Sequence, residues 1–243
     1  MITRERWKEA QVYEKSYWQN LARQIASGSQ SQLGWYAWKA KMMEQRLEGH
    51  LNGQQKINAR ILEIGSGPIG IVTFLKWGER HTLDPLENFY GLDPTLSKLR
   101  SPEVKYGSGS GEQLPFDPGR FSVVILDNVL DHVYEASSVL EEIQRVLDKD
   151  GVLYLAVNIH TLWGGFLHRI LSRLKIDRGH PYTFTVDSIR RFLEHHGFTI
   201  KNEFINSYQE AKAEDMRSSS IKANVKAYTG LSEFVFHAVC GKR

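Results

Sequence analysis

The chain has 243 residues, 41% of them hydrophobic, enough to bury a sizeable core in one α/β domain. With 31 basic and 28 acidic residues the formal charge is +3 and no basic run stands out, so electrostatics give no reason to expect nucleic-acid binding. One cysteine, Cys240, excludes an intramolecular disulfide and a multi-cysteine metal site, no window approaches the roughly 18 apolar residues of a membrane span, and Met1 to Arg6 lead into no apolar signal core, so a cytoplasmic protein is expected.

The N-terminal stretch reads as helices. Trp7, Val12, Tyr13, Tyr17, Leu21 and Ile25 recur at roughly helical spacing, and Ser27-Gly28-Ser29 breaks the run. A second helix is expected from Leu33 to Leu47, ending near Gly49. Residues 1–52 are taken as a helical extension or lid, and 53–243 as the main domain.

From Ala59 the texture changes to short apolar runs alternating with helical segments, which predicts a parallel sheet with crossover helices. Strands are expected at Arg60–Ile64, Arg80–Leu83, Glu103–Tyr106, Phe121–Leu126, Gly151–Val157, Phe198–Ile205 and Glu233–Cys240. Helices are expected at Ile69–Trp77, Glu135–Leu147, Leu162–Leu174 and Thr185–His196, the last capped by Thr185 and stopped by Gly197. The polar stretch Ser207 to Gly230 is longer than a hairpin needs and reads as an inserted flap, a helix or a loop.

Gly65-Ser66-Gly67-Pro68-Ile69-Gly70 follows the first strand and is a literal G-x-G-x-x-G. Glycines let a ligand approach the backbone, and a helix opening there would offer free N–H groups. The bare pattern is also the dinucleotide fingerprint. Glu63, two residues before the loop, shifts the balance: a carboxylate there would crowd a pyrophosphate but suits a cationic amino-acid or sulfonium ligand, directly or by fixing the loop. Asp84 closes the second strand, where an acid can hold both ribose hydroxyls. Asp93-Pro94 competes for that role, but lies far from Glu63 for one crossover.

Ile61 to Gly67 resembles motif I of the class I S-adenosylmethionine-dependent methyltransferases. Leu83-Asp84-Pro85-Leu86 resembles their second motif, Gly111 to Phe116 the loop bordering adenine, and Phe121 to Val124 with Asn128 to Val133 the strand-four motif. Val139 to Val157 resembles the helix and strand that follow, and His180 to Thr185 with Leu193 to Phe198 the region before strand six in small-molecule members. The sequence departs from the pattern at Gly70, one residue later than the commoner spacing, and at Ser110, where many members carry an aspartate.

The resemblance implies a doubly wound, seven-stranded, mostly parallel sheet of order 3-2-1-4-5-7-6 with strand seven antiparallel. It implies S-adenosyl-L-methionine as cofactor and a small-molecule acceptor. The expected cofactor-binding residues are Glu63, Gly65, Ser66, Gly67, Asp84, Pro85, Leu86, Gly111, Glu112, Gln113, Asp127 and Asn128. If the acceptor is a hydroxyl, a base helps, and His160, His132 and His180 follow strands or precede the helix on the carboxyl side of the sheet; His160 is preferred. The histidines show no metal-ligand spacing, and no metal is expected. Trp7, Trp18, Trp35 and Trp38 suggest a lid over the acceptor. The alternatives are an NAD(P)-dependent oxidoreductase, whose Tyr-x-x-x-Lys pair is missing because Asn158 follows Tyr154 at that spacing, and a non-catalytic cofactor-binding scaffold.

Overall fold

Runs such as Arg60-Ile61-Leu62-Glu63-Ile64 and Phe121-Ser122-Val123-Val124-Ile125-Leu126 are apolar on both sides of the pleat, so each strand must be covered on both faces. In the computed structural model, which describes residues 3–28, 33–51, 53–174 and 181–243, they are. The strands are β1 (Arg60–Ile64), β2 (Glu79–Asp84), β3 (Val104–Ser108), β4 (Phe121–Asp127), β5 (Leu147–Ile159), β6 (Phe198–Ile205) and β7 (Phe234–Lys242). They form one seven-stranded sheet of order β3-β2-β1-β4-β5-β7-β6, as expected. β7 runs antiparallel to both β5 and β6, and the remaining pairs are parallel.

Ten helices flank the sheet among the described residues: α1 (Arg4–Ala26), α2 (Leu33–Leu47), α3 (Gly53–Ile57), α4 (Glu87–Leu92), α5 (Pro94–Ser97), α6 (Ala136–Val146), α7 (Leu162–Arg173), α8 (Val186–His195), α9 (Tyr208–Arg217) and α10 (Ile221–Thr229). One face of the sheet packs Leu62, Val124, Leu126 and Leu155 against Val139, Leu140 and Ile143 of α6 and Ile189 and Leu193 of α8. The other packs Ile61, Val123, Ile125 and Tyr154 in one cluster with Met43 and Leu47 of α2, both fully buried. Residues 33–47 are therefore a layer of the core, and Trp18, Leu21 and Ala22 of α1 join the same cluster.

The structure corrects one expectation. The helix expected over Ile69–Trp77 is a single 3₁₀ turn, Ile71–Phe74. Gly70 and Gly78, at φ 79° and 75°, bracket it, and α2 packs on the space a crossover helix would occupy. The stretch left open from Ser207 to Gly230 is the helical pair α9 and α10. The Ser207 and Ser220 hydroxyls accept from the Glu210 and Ala223 amides at the two N-termini, and Gly230 takes the left-handed C-terminal position. No helix of the described residues is long and apolar enough to cross a membrane.

Candidate active site

The glycine loop turns back on the tips of β1 and β2, and two carboxylates hold it there. The Ile71 and Val72 amides donate to the two oxygens of Glu63 at 3.0 and 2.9 Å. The Gly67 and Leu86 amides donate to Asp84 at 2.9 and 2.8 Å, and the Gly65 amide donates to the Leu83 carbonyl at 2.7 Å. Gly65 and Gly67 sit at φ 66° and 61°. These bonds decide between two readings of the loop. A diphosphate needs a helix N-terminus and free amides; here the turn is too short to be such a helix, and four loop amides already face protein oxygens. The loop therefore favours a cationic ligand over a dinucleotide.

Around it lies a cavity of about 370 Å³ at the carboxyl tips of β1, β2 and β4. Glu63, Gly65, Ser66, Gly67, Asp84, Pro85, Leu86, Gly111, Glu112, Asp127 and Asn128 line it, whereas Gln113 lies outside the lining. Ser110, at the departure from the family pattern, is also in the wall. The Glu112 carboxylate accepts from the Tyr134 and Glu135 amides, which ties the loop before β4 to the entry of α6. Asp93 accepts from the Thr95 and Leu96 amides and caps α5, and unlike Asp84 it does not line the cavity.

Sequence reasoning expected an aromatic lid from Trp7, Trp18, Trp35 and Trp38 but missed Gln11, Glu14, Tyr36 and Lys39. Trp7, Gln11, Glu14 and Trp18 of α1 and Tyr36 and Lys39 of α2 complete the cavity wall. The signal was legible, since the four α1 residues share one helical face at i, i+4, i+7 and i+11. The Trp18 indole donates to Glu14 at 2.8 Å and meets Tyr90 edge-on, and Trp7 meets Tyr134 edge-on. Lys39 pairs with Asp127.

Burial pushes the Glu63 carboxyl up to about 7, despite the two amides that pull it down, and Asp84 up to about 6 by the same cause. A cationic ligand favours both ionised forms, so binding it must release protons. Affinity for S-adenosylmethionine is therefore expected to fall about tenfold or more from about pH 7.5 to about pH 5.5. Calorimetry in two buffers of different ionisation enthalpy checks this; a flat pH profile with no proton release contradicts it.

The histidines divide. His132 lines the cavity, its Nε2 3.7 Å from Asp131. His160 does not line the cavity. It is buried, stacked on His168 with ring centroids 4.5 Å apart, its Nε2 3.9 Å from Glu233. The donor atoms of His160, His168 and Glu233 lie within 4.8 Å of one another, but Lys226 already donates to Glu233 at 2.7 Å and His168 Nδ1 contacts the Thr183 hydroxyl. This cluster joins β5, α7 and the start of β7. His180 lies outside the described residues.

Residues 62–155 match the family model of a methyltransferase domain. That match spans the glycine loop, Asp84 and β4, and the sheet order is the one implied by the resemblance to the class I S-adenosylmethionine-dependent methyltransferases. A ubiquinone/menaquinone biosynthesis C-methyltransferase from Campylobacter jejuni is 23% identical over 136 residues, 54% of this chain and 56% of that protein. The chain thus spans about half the length of the curated relatives it matches. Two solved structures share the fold of this methyltransferase domain at lower identity. The geranyl diphosphate C-methyltransferase from Streptomyces coelicolor, solved with Mg²⁺, geranyl diphosphate and S-adenosyl-L-homocysteine, has a TM-score of 0.64 at 12% identity, over 84% of this chain and 78% of that one. The [4+2]-cyclase SpnF has a TM-score of 0.60 at 15% identity, over 84% and 80%. A cyclase on the same fold means that the reaction must be argued from the site.

Proposed function

We propose that the protein transfers a methyl group from S-adenosylmethionine to a small-molecule acceptor in the cytoplasm. The observation that carries this is the charge of the cavity. Glu63, Asp84 and Asp127 present three carboxylates in a wall to which Lys39 brings an ammonium, an excess of negative charge that suits a ligand bearing an ammonium and a sulfonium. The donor set fits the adenosyl part as well. Each Asp84 oxygen accepts one amide and keeps a further lone-pair site for a ribose hydroxyl. Leu86 and Gly111 offer apolar surface on either side of a flat base.

Bound there, the cofactor supplies a methyl group on a sulfonium that is already a good leaving group. The protein has to hold the acceptor at near-attack distance and keep water out. Trp7, Trp18 and Tyr36 cover the cavity with aromatic surface that excludes water. Where the acceptor is a hydroxyl, the base role falls to His132, which reaches the cavity, rather than to His160. On this reading His132→Asn lowers kcat for such an acceptor by about 100-fold and leaves cofactor affinity within about twofold; an unchanged kcat removes His132 from the chemistry.

Calorimetry with S-adenosylmethionine and with NADH tests the function. Binding of the first and not the second is expected; the reverse overturns the proposal. A mass screen for the gain of one methyl then identifies the acceptor.

A further inference from the structure

A second cavity, of about 320 Å³, adjoins the first, and Trp35, Lys39, Asp127 and Asn128 belong to both walls. Its other walls come from Trp38, Met42 and Arg46 of α2, Tyr154 and Asn158 of β5 and His237 of β7. Trp35, Trp38, Met42 and Arg46 follow one another at three- and four-residue steps and Lys39 stands four after Trp35, so α2 turns one continuous face toward this space. The two tryptophans are about half exposed and offer flat apolar surface.

The polar groups give the cavity a sign. The Arg46 guanidinium donates to the Tyr154 hydroxyl at 2.9 Å and to His237 Nδ1 at 2.7 Å, both neutral partners, and lies 5.4 Å from the centre of the Phe204 ring. Among the described residues no carboxylate lies within ion-pair distance of it. Lys39 faces Asp127, so that carboxylate's charge is already answered. Burial, with Arg46 and Lys39 nearby, holds the His237 imidazole neutral, pushed down to about 3. Among the described residues Arg46 thus has no carboxylate partner in a partly dry, aromatic cavity, where an anion would be held strongly. Asn128, at φ 57° with its side-chain oxygen accepting from Asn158 at 2.6 Å, stands as a fixed polar group where the two cavities join.

Resting on the methyl-transfer reading, we propose that this second cavity is the acceptor site and that it takes a small molecule with a flat apolar body and a carboxylate or phosphate, the anion held by Arg46, the body against Trp35 and Trp38, and the methylated end toward Asp127 and Asn128. The reaction then balances without a further reactant: an acceptor lone pair forms the bond to the methyl carbon, the carbon–sulfur bond breaks with its electrons left on a neutral thioether, and the acceptor gives up one proton.

The test uses the whole protein, saturated with S-adenosylhomocysteine, and three probes of similar shape: benzoate, phenyl phosphate and neutral benzamide. Tryptophan fluorescence and calorimetry report binding. At least one anionic probe is expected to bind about tenfold more tightly than benzamide, and the better of the two tells carboxylate from phosphate. Arg46→Gln is expected to erase that preference and Arg46→Lys to keep part of it, with homocysteine-product affinity held within about twofold in both. Benzamide binding as well as both anions, or a preference that survives in Arg46→Gln, overturns the proposal. If Arg46→Gln fails to fold, the wild-type comparison and Arg46→Lys still decide. Repeating the titration on the ligand-free protein separates the two readings: loss of S-adenosylhomocysteine binding with the anion preference intact strikes the cofactor reading alone.

Discussion

Gly65→Ala is expected to destabilise the protein by about 3 kcal/mol and to abolish cofactor binding. Two costs add. At φ 66° an alanine is strained, and its Cβ would lie 2.5 Å from a Val129 methyl carbon, too close for any real contact. Val129 is in the cavity wall and packs against the core face that holds α6, so it can yield only by moving the loop after β4. Gly119→Ala separates the terms. It has the same φ, 66°, and nothing within 4 Å of the added carbon. Strain alone should cost it about 1 kcal/mol, with cofactor affinity unchanged. Thermal melts and calorimetry on the pair check this; equal losses in the two variants would show that the packing at Val129 contributes nothing.

Asp84→Asn should weaken S-adenosylmethionine binding by about 30-fold or more. The asparagine keeps the shape but turns one oxygen into a donor, which then faces either the Gly67 or the Leu86 amide. It also removes a negative charge from a cavity proposed to hold a cation, and leaves one side-chain oxygen where a ribose needs two. Asp93→Asn is the control. Its carboxylate caps α5 and lines neither cavity, so binding should stay within about twofold. Equal binding by wild type and Asp84→Asn would sink the ribose assignment and much of the cofactor reading with it.

The parts of the site that lie next to one another in sequence were legible in advance. Glu63 to Gly67 occupy one strand end and the turn after it, and Asp84 to Leu86 another, so their placement at neighbouring strand tips follows once the strands are recognised as parallel. The choice between Asp84 and Asp93 followed from the length of one crossover. What a carboxylate does once there was less legible. Glu63 was read as facing a cation directly or fixing the loop, and its two bonds to the Ile71 and Val72 amides fix the loop. His160 looked well placed because it follows a strand at the correct end of the sheet, but following a strand does not set the direction of a side chain. Packing turned it toward His168 and Glu233.

The sequence by itself determined a largely parallel sheet covered on both faces, because runs apolar on both sides of the pleat alternate with amphipathic helices such as α6, while the strand order came from the family resemblance. It also determined the glycine turn, because only glycine tolerates the positive φ that Gly65 and Gly67 adopt there. Only the tertiary structure decided that α2 would replace a crossover helix, and that Lys39 and Arg46 would meet Asp127 and His237 from 88 and 191 residues away. Local propensity and periodicity reach about a helical turn along the chain. Which faces meet across such separations is settled by burial of apolar surface and pairing of charge, and those depend on the whole fold at once.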